Sequence, residues 1–304
     1  MYQVRRSTAR PLAVCALISV LTFQAGGRQA SHAPQGASGQ EDGSGLLDVG
    51  GAKLYYETRG NGLAVVLIHD GLVHRETWDR QWEALSKQHR VIRYDRRGYG
   101  RSEPPRQPYS DVEDLHALLR HLRVGRATLV GSSAGGNLVM EYALAHPQVA
   151  ERLVLVGPVV YGLGFSEHFQ QRNRENLRPL VEKKDVAATI ANWVRDPYII
   201  APGNDEARKR LEELLVKNPH NLTHPFNFTK PPERPTLSRL GEIKAPTLIV
   251  VGEADIPDVH AHAGAIQAGI PNARRVIIPK AGHLPYAERA EDFNRIVFDF
   301  LGSP

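Results

Sequence analysis

The strand-like run Ala127–Val130 passes without a spacer into Gly131-Ser132-Ser133-Ala134-Gly135, and a helical pattern follows over about Gly135–Ala145. Few architectures can use that order. A strand apolar on both faces lies inside a sheet covered on both sides, and a sharp turn from strand to helix needs small residues where backbone meets backbone. G-x-S-x-G supplies them and exposes the central serine hydroxyl at the carboxyl end of the strand. The following backbone N–H, that of Ala134, then stands at a helix N-terminus, where it can stabilise a developing oxyanion. Ser133 is therefore the candidate nucleophile, and the fold class it requires is α/β.

The flanking pattern agrees. Leu46–Val49 and Lys53–Thr58 read as an opening antiparallel pair around Gly50-Gly51, and Ala64–Ile68, Val91–Tyr94 and Leu153–Val156 as further strands. Between them Trp78, Trp82 and Leu85, and then Val112, Leu115, Leu118, Leu119 and Leu122, recur at helical spacing. Such alternation predicts a mostly parallel sheet with helices on both faces. The rhythm breaks after Gly157. Residues 158–244 hold helical patterns (Leu177–Val194, Asp205–Lys217) and a Pro-rich stretch, His224–Pro235, but no strand-like run, so they read as a helical cap inserted above the strand ends. Thr247–Val251 and Arg275–Ile278 then resume the strands, and Phe293–Leu301 the final helix.

A serine hydroxyl needs a base, and the base an orienting group. Gly252-Glu253-Ala254-Asp255 and Gly282-His283-Leu284-Pro285 each follow a predicted strand, at the sheet edge where ligands collect. Asp255 and His283 are the candidates for those roles, with Asp258 as the rival acid.

Charge and cysteine content exclude other classes. The formal net charge of +5 would suit a polyanion binder, but residues 1–30 hold Arg5, Arg6, Arg10 and Arg28 and no acid; without these four, the 38 basic residues fall to 34 against 33 acidic ones. No electrostatic footprint for nucleic acid remains. Basic Met1–Arg10, apolar Pro11–Phe23 and the small or polar residues 24–27 follow the order of a secretory signal peptide, with an uncleaved anchor as the alternative. The protein is thus expected to be secreted or periplasmic, with no other membrane contact. Residues 31–45 read as a flexible linker, which starts the domain at Leu46. The single cysteine, Cys15, excludes an intramolecular disulfide and a Cys-clustered metal site.

Leu67-Ile68-His69-Asp70-Gly71, Tyr94–Ser102, the serine turn, Gly252–Asp255 and Gly282-His283 together resemble the α/β-hydrolase superfamily, in its esterase, lactonase and C–C hydrolase branch, over about Leu46–Leu301. The chain order Ser133, Asp255, His283 matches that family's triad. The resemblance implies an eight-stranded mostly parallel sheet, a helical cap, and hydrolysis with no cofactor and no metal. It also implies a second oxyanion donor, the N–H of Gly71. Asp70 departs from the pattern, occupying a position where the family usually has glycine; a carboxylate there must point away from the oxyanion, as in a capped turn. His69 is expected to brace the loop and Asp95–Ser102 to be structural. His260 and His262 resemble a metal pair but are expected on different sides of a surface helix, and Asn221 and Asn227 fit glycosylation sequons. Some of Tyr161, Phe165, Trp193, Tyr198, Phe226 and Phe228 are expected to line an apolar pocket. The expected activity is serine hydrolysis of a small carboxylic ester or lactone. A C–C bond hydrolase with the same triad and a catalytically idle ligand-binding protein are the alternatives.

Overall fold

The computed structural model describes residues 42–223 and 228–302; the leader, most of the linker and Asn227 lie outside them. Eight strands form one sheet in the order β1-β2-β4-β3-β5-β6-β7-β8. β1 (Gly43–Asp48) and β2 (Lys53–Arg59) are antiparallel, with Leu46 opposite Tyr55, and β2 is antiparallel to β4 (Arg90–Tyr94). β3 (Ala64–Ile68), β5 (Ala127–Ser132), β6 (Ala150–Val156), β7 (Thr247–Gly252) and β8 (Ala273–Ile278) continue the sheet in parallel from β4. β3, β5 and β7 are buried at every position, β3 as an unbroken apolar run and β5 and β7 with an apolar centre flanked by threonine, glycine or serine. β1 begins at Gly43, ahead of the Leu46 boundary read from the sequence, because its early residues pair in register with β2 despite their linker-like composition.

Helices cover both faces. α2 (Asp111–His121), α3 (Ala134–Ala145) and α7 (Pro257–Gly269) pack Leu115, Leu118, Val139, Met140, Val259 and Ile266 into one core. On the other face, α1 (Asp79–Leu85) and the C-terminal α9 (Ala290–Gly302) contribute Leu85, Phe293 and Val297, beside Trp78 of the preceding 3-10 turn.

The cap follows β6. Its helices are α4 (Glu167–Lys183), α5 (Val186–Arg195) and α6 (Asp205–Lys217). The pattern Leu177–Val194 is not one helix. Lys184 is left-handed at φ 57°, and the Asp185 side chain caps α5 by accepting from the Ala188 N–H at 2.9 Å. Ile190, Leu211 and Leu215 bury α5 and α6 in the second core, so the cap shares apolar packing with the sheet domain. No named strand lies in the described part of residues 158–244; Thr229 makes only an isolated bridge to Tyr109.

Candidate active site

Ser133 sits between β5 and α3 at φ 52°, a conformation that L-residues rarely adopt. Backbone crowding enforces it. A Cβ at Gly131 would come within 2.3 Å of the Gly135 carbonyl oxygen, and one at Gly135 within 2.5 Å of the His69 carbonyl oxygen. The two glycines are thus fixed by close approach, as the sequence motif predicted. The Ser133 N–H donates to the Val156 carbonyl at 2.8 Å, tying the turn to the end of β6.

Gly157 comes next and adopts φ 49°; a Cβ there would lie 3.0 Å from His283 Nδ1 and 3.1 Å from Asp255 Oδ2. This close approach brings the ends of β6, β7 and β8 together around one pair. His283 Nδ1 lies 3.0 Å from both Asp255 carboxylate oxygens, and the Asp255 side chain is 0% exposed against 13% for His283. Burial pulls the imidazole pKa down, but the adjacent Asp255 charge and hydrogen bond outweigh it, and the pKa lies above the usual histidine value. Asp258, the rival acid, is engaged elsewhere: it accepts from Ser166 N at 2.6 Å and Ser166 Oγ at 2.8 Å, anchoring the start of α4.

Ser133, Asp255, His283 and Gly71 line one cavity of about 220 Å³. A Cβ placed on Gly71 would stand 3.8 Å from the Ala134 Cβ, so the two expected oxyanion donors are neighbours across the cavity wall. Asp70 is buried and aimed back along its own loop. Its Oδ1 accepts from the N–H groups of Leu72 at 2.6 Å and Val73 at 2.9 Å, and the Tyr286 hydroxyl lies 3.5 Å from Oδ2. The carboxylate therefore caps a turn and fixes the backbone that presents Gly71. His69 braces the same loop: Nε2 accepts from the Arg96 N–H at 2.9 Å, which leaves Nδ1 to donate to the Asp70 carbonyl at 2.7 Å. Arg97 pairs with Asp114 through Nε at 2.5 Å and Nη2 at 2.7 Å, and Asp95 accepts from Arg75, so that segment is structural.

The cap side of the cavity includes Phe169, Arg172, Asn173 and Trp193. Of these only Trp193 is among the aromatics expected from the sequence, since α4 carries no apolar run to mark its inward face. Arg172 Nε contacts Asp196 Oδ2 at 2.6 Å, and its guanidinium lies over the Trp193 ring. Tyr161 and Phe165 instead line a second cavity of about 590 Å³ with Leu138, Leu163 and Ala134. Val159 lines both cavities. Tyr198 contributes its backbone, its carbonyl accepting the His283 N–H at 2.8 Å; Phe228 accepts from Tyr109 N through its carbonyl, and Phe226 lies outside the described residues.

His262 is buried rather than on a surface face, because its Nδ1 accepts the Val160 N–H at 3.0 Å. Among the described residues no group of three or more His, Cys, Asp or Glu side chains could hold a metal ion. Asn221 is 0% exposed, and its Oδ1 accepts from Gly100 N at 3.1 Å, which withdraws it as a glycosylation acceptor in the folded chain.

The family model described as the alpha/beta hydrolase fold matches residues 64–290. A 2-hydroxy-6-oxononadienedioate/2-hydroxy-6-oxononatrienedioate hydrolase of Cupriavidus pinatubonensis is 32% identical over 257 residues, 79% of this chain and 86% of that protein. A 2-hydroxy-6-oxo-6-phenylhexa-2,4-dienoate hydrolase of Comamonas testosteroni is 28% identical, over 82% of this chain and 91% of its own. Among solved structures, the enol-lactonase of Burkholderia xenovorans superposes with a TM-score of 0.70 at 25% identity, covering 85% of this chain and 100% of that one. On the breadth of these matches and the strand order of its sheet, the chain belongs to the α/β-hydrolase superfamily.

Proposed function

We propose that the protein is a serine hydrolase acting at a carbonyl carbon, with Ser133 as nucleophile, His283 as base and Asp255 as the group that orients and stabilises the imidazole. One observation carries this reading: the strained serine turn and the His283–Asp255 pair open into the same cavity. Ser133 Oγ attacks the carbonyl as His283 Nε2 takes its proton. The backbone N–H groups of Gly71 and Ala134 receive the oxyanion, at the N-terminus of α3. The protonated imidazole returns the proton to the leaving group, and water, activated by the same histidine, releases the acyl group.

A neutral carboxylic ester or lactone is the substrate class this cavity favours. Its one lining cation, Arg172, already has Asp196 as partner, and the carboxylates of Asp70 and Asp255 are held by their own loop and by His283. An anionic substrate would find no uncommitted lysine or arginine among the lining residues. The small cavity lined by Ser133, with the larger one lined by the adjacent Ala134, suits a substrate with one small half and one larger apolar half. Cleavage of a C–C bond next to a ketone is the second reading, carried by the dienoate and dienedioate hydrolases among the relatives. A panel of neutral esters of graded length, lactones and a vinylogous diketone acid separates the two. Higher kcat/KM on the neutral members supports ester or lactone hydrolysis, and turnover confined to the diketone acid replaces it with C–C cleavage. The export reading of residues 1–30 is part of the same proposal, and N-terminal sequencing of the protein recovered outside the cytoplasm tests it.

A further inference from the structure

The sheet alone does not hold the loop that carries His283. The His283 N–H donates at 2.8 Å to the carbonyl of Tyr198, and a Cβ on Gly282 would come within 2.6 Å of that same oxygen. Tyr198 belongs to the connection between α5 and α6, a cap segment. A second tie runs beside the first. Glu288 ends the short helix α8 (Pro285–Glu288) and turns back over the loop. Its Oε1 accepts from Gly282 N at 2.8 Å, while its Oε2 accepts from Ala201 N at 2.8 Å and from Asn204 Nδ2 at 2.6 Å. The other amide proton of Asn204 reaches the Lys280 carbonyl at 2.9 Å.

Asn204 makes the purpose of this arrangement visible. It is the residue before α6, where an asparagine side chain ordinarily caps the helix, yet it makes no cap bond and is turned across to the histidine loop. Both of its amide protons and both Glu288 oxygens are thus committed to joining residues 198–204 to residues 280–284. One carboxylate receives three N–H groups from two parts of the molecule, and the residue next to one of those donors is His283.

We propose that Glu288 is a positioning residue for the base: it clamps the cap connection to the histidine loop, so that the imidazole keeps its register between Asp255 and Ser133. This rests on the reading of His283 as the base. A misplacement of about 1 Å at a reacting group lowers rates on the order of a hundredfold, so partial loss of the clamp reads out as catalysis. Glutamine has the shape of glutamate but a single acceptor oxygen, and its amide would face an N–H donor on one side of the clamp.

The test compares the full-length wild type with Glu288→Gln and Asn204→Ala, each checked for its melting temperature. Four quantities are read: the second-order rate of labelling by a fluorophosphonate, kcat and KM on a small neutral ester, and the downfield proton resonance of the His283 Nδ1–H bonded to Asp255. In Glu288→Gln, labelling and kcat are expected to fall about tenfold or more, KM to change less than about threefold, and the resonance to shift or broaden. A folded Glu288→Gln protein with the wild-type labelling rate and resonance, changed only in melting temperature, overturns the proposal. Should that variant not fold, Asn204→Ala decides by the same readouts: a smaller fall in the same direction supports the clamp, and wild-type values overturn it. A wild type that is not labelled removes the nucleophile reading instead, and the resonance comparison then decides the clamp without reference to turnover.

Discussion

The serine turn and the histidine loop meet in one cavity but are built in opposite ways. The turn is held within the sheet domain: Gly131 is fixed by the Gly135 carbonyl oxygen of the same turn and Gly135 by the carbonyl oxygens of Ile68 and His69 at the end of β3, and Ser133 keeps φ 52° between the two glycines. The histidine loop is tertiary: its geometry depends on Asp255 from β7's end, on Tyr198 and Asn204 from the cap, and on Glu288 from beyond the loop itself. The proposed nucleophile, Ser133, should therefore be insensitive to the state of the cap, and the proposed base, His283, should follow it. This contrast orders the predicted effects.

Ser133→Ala is the largest. Turnover of any ester should fall by about 10⁶-fold with the fold intact, since the strained backbone belongs to the turn and not to the hydroxyl. Residual activity close to wild type would place the nucleophile elsewhere. Asp255→Asn should lower kcat by about 10⁴-fold, because a neutral amide neither fixes the imidazole tautomer nor stabilises its cation.

The pH dependence sharpens the same residue. With its pKa raised by Asp255, His283 is protonated at a pH where an ordinary histidine, near ~6.5, is already neutral. Turnover needs the neutral base, so kcat/KM should fall as the pH drops through a value above about 6.5. Stability runs the other way: the protonated pair adds stability that is complete below the unfolded value of about 6.5 and is lost as the pH rises through the raised folded value. In Asp255→Asn both dependences should move to lower pH. A wild-type acid limb at or below about 6.5 would contradict the raised value.

Gly135→Ala attacks the turn through stability. A Cβ 2.5 Å from the His69 carbonyl and 2.7 Å from that of Ile68 cannot be accommodated without moving β3 or α3. A loss of roughly 3 kcal/mol or more is expected in chemical denaturation. Gly164→Ala, with nothing within 4 Å of its Cβ, should change stability by less than about 0.5 kcal/mol. The smallest expected effect on turnover is one of selectivity. Leu163→Trp narrows the second cavity and should raise KM about tenfold for esters with a bulky apolar half relative to the shortest ones, from a loss of about 1.4 kcal/mol of binding. An unchanged ratio would detach that cavity from the substrate.

The same contrast explains what could be read from the sequence. The serine turn was legible because its requirements fall on neighbouring residues, and the strands β3, β5, β6 and β7 because burial on both faces leaves an apolar run. Asp70 was legible as a residue that must turn away, and its capping bonds to Leu72 and Val73 meet that requirement. The division of Leu177–Val194 was not, since a lysine rather than a glycine takes the left-handed position at Lys184. Nor were Arg172, Asn204 and Glu288. They act through partners far along the chain, and each, taken alone, reads as an ordinary surface residue of a helix or its end.

The convergence of Ser133 and His283 is tested most directly by intact-mass and peptide analysis of the folded protein after exposure to a fluorophosphonate across a pH series. One adduct is expected, located on Ser133, and its rate of formation should decline with falling pH as His283 takes up its proton above pH about 6.5. No adduct on folded protein, or an adduct that persists in Ser133→Ala, would contradict that convergence.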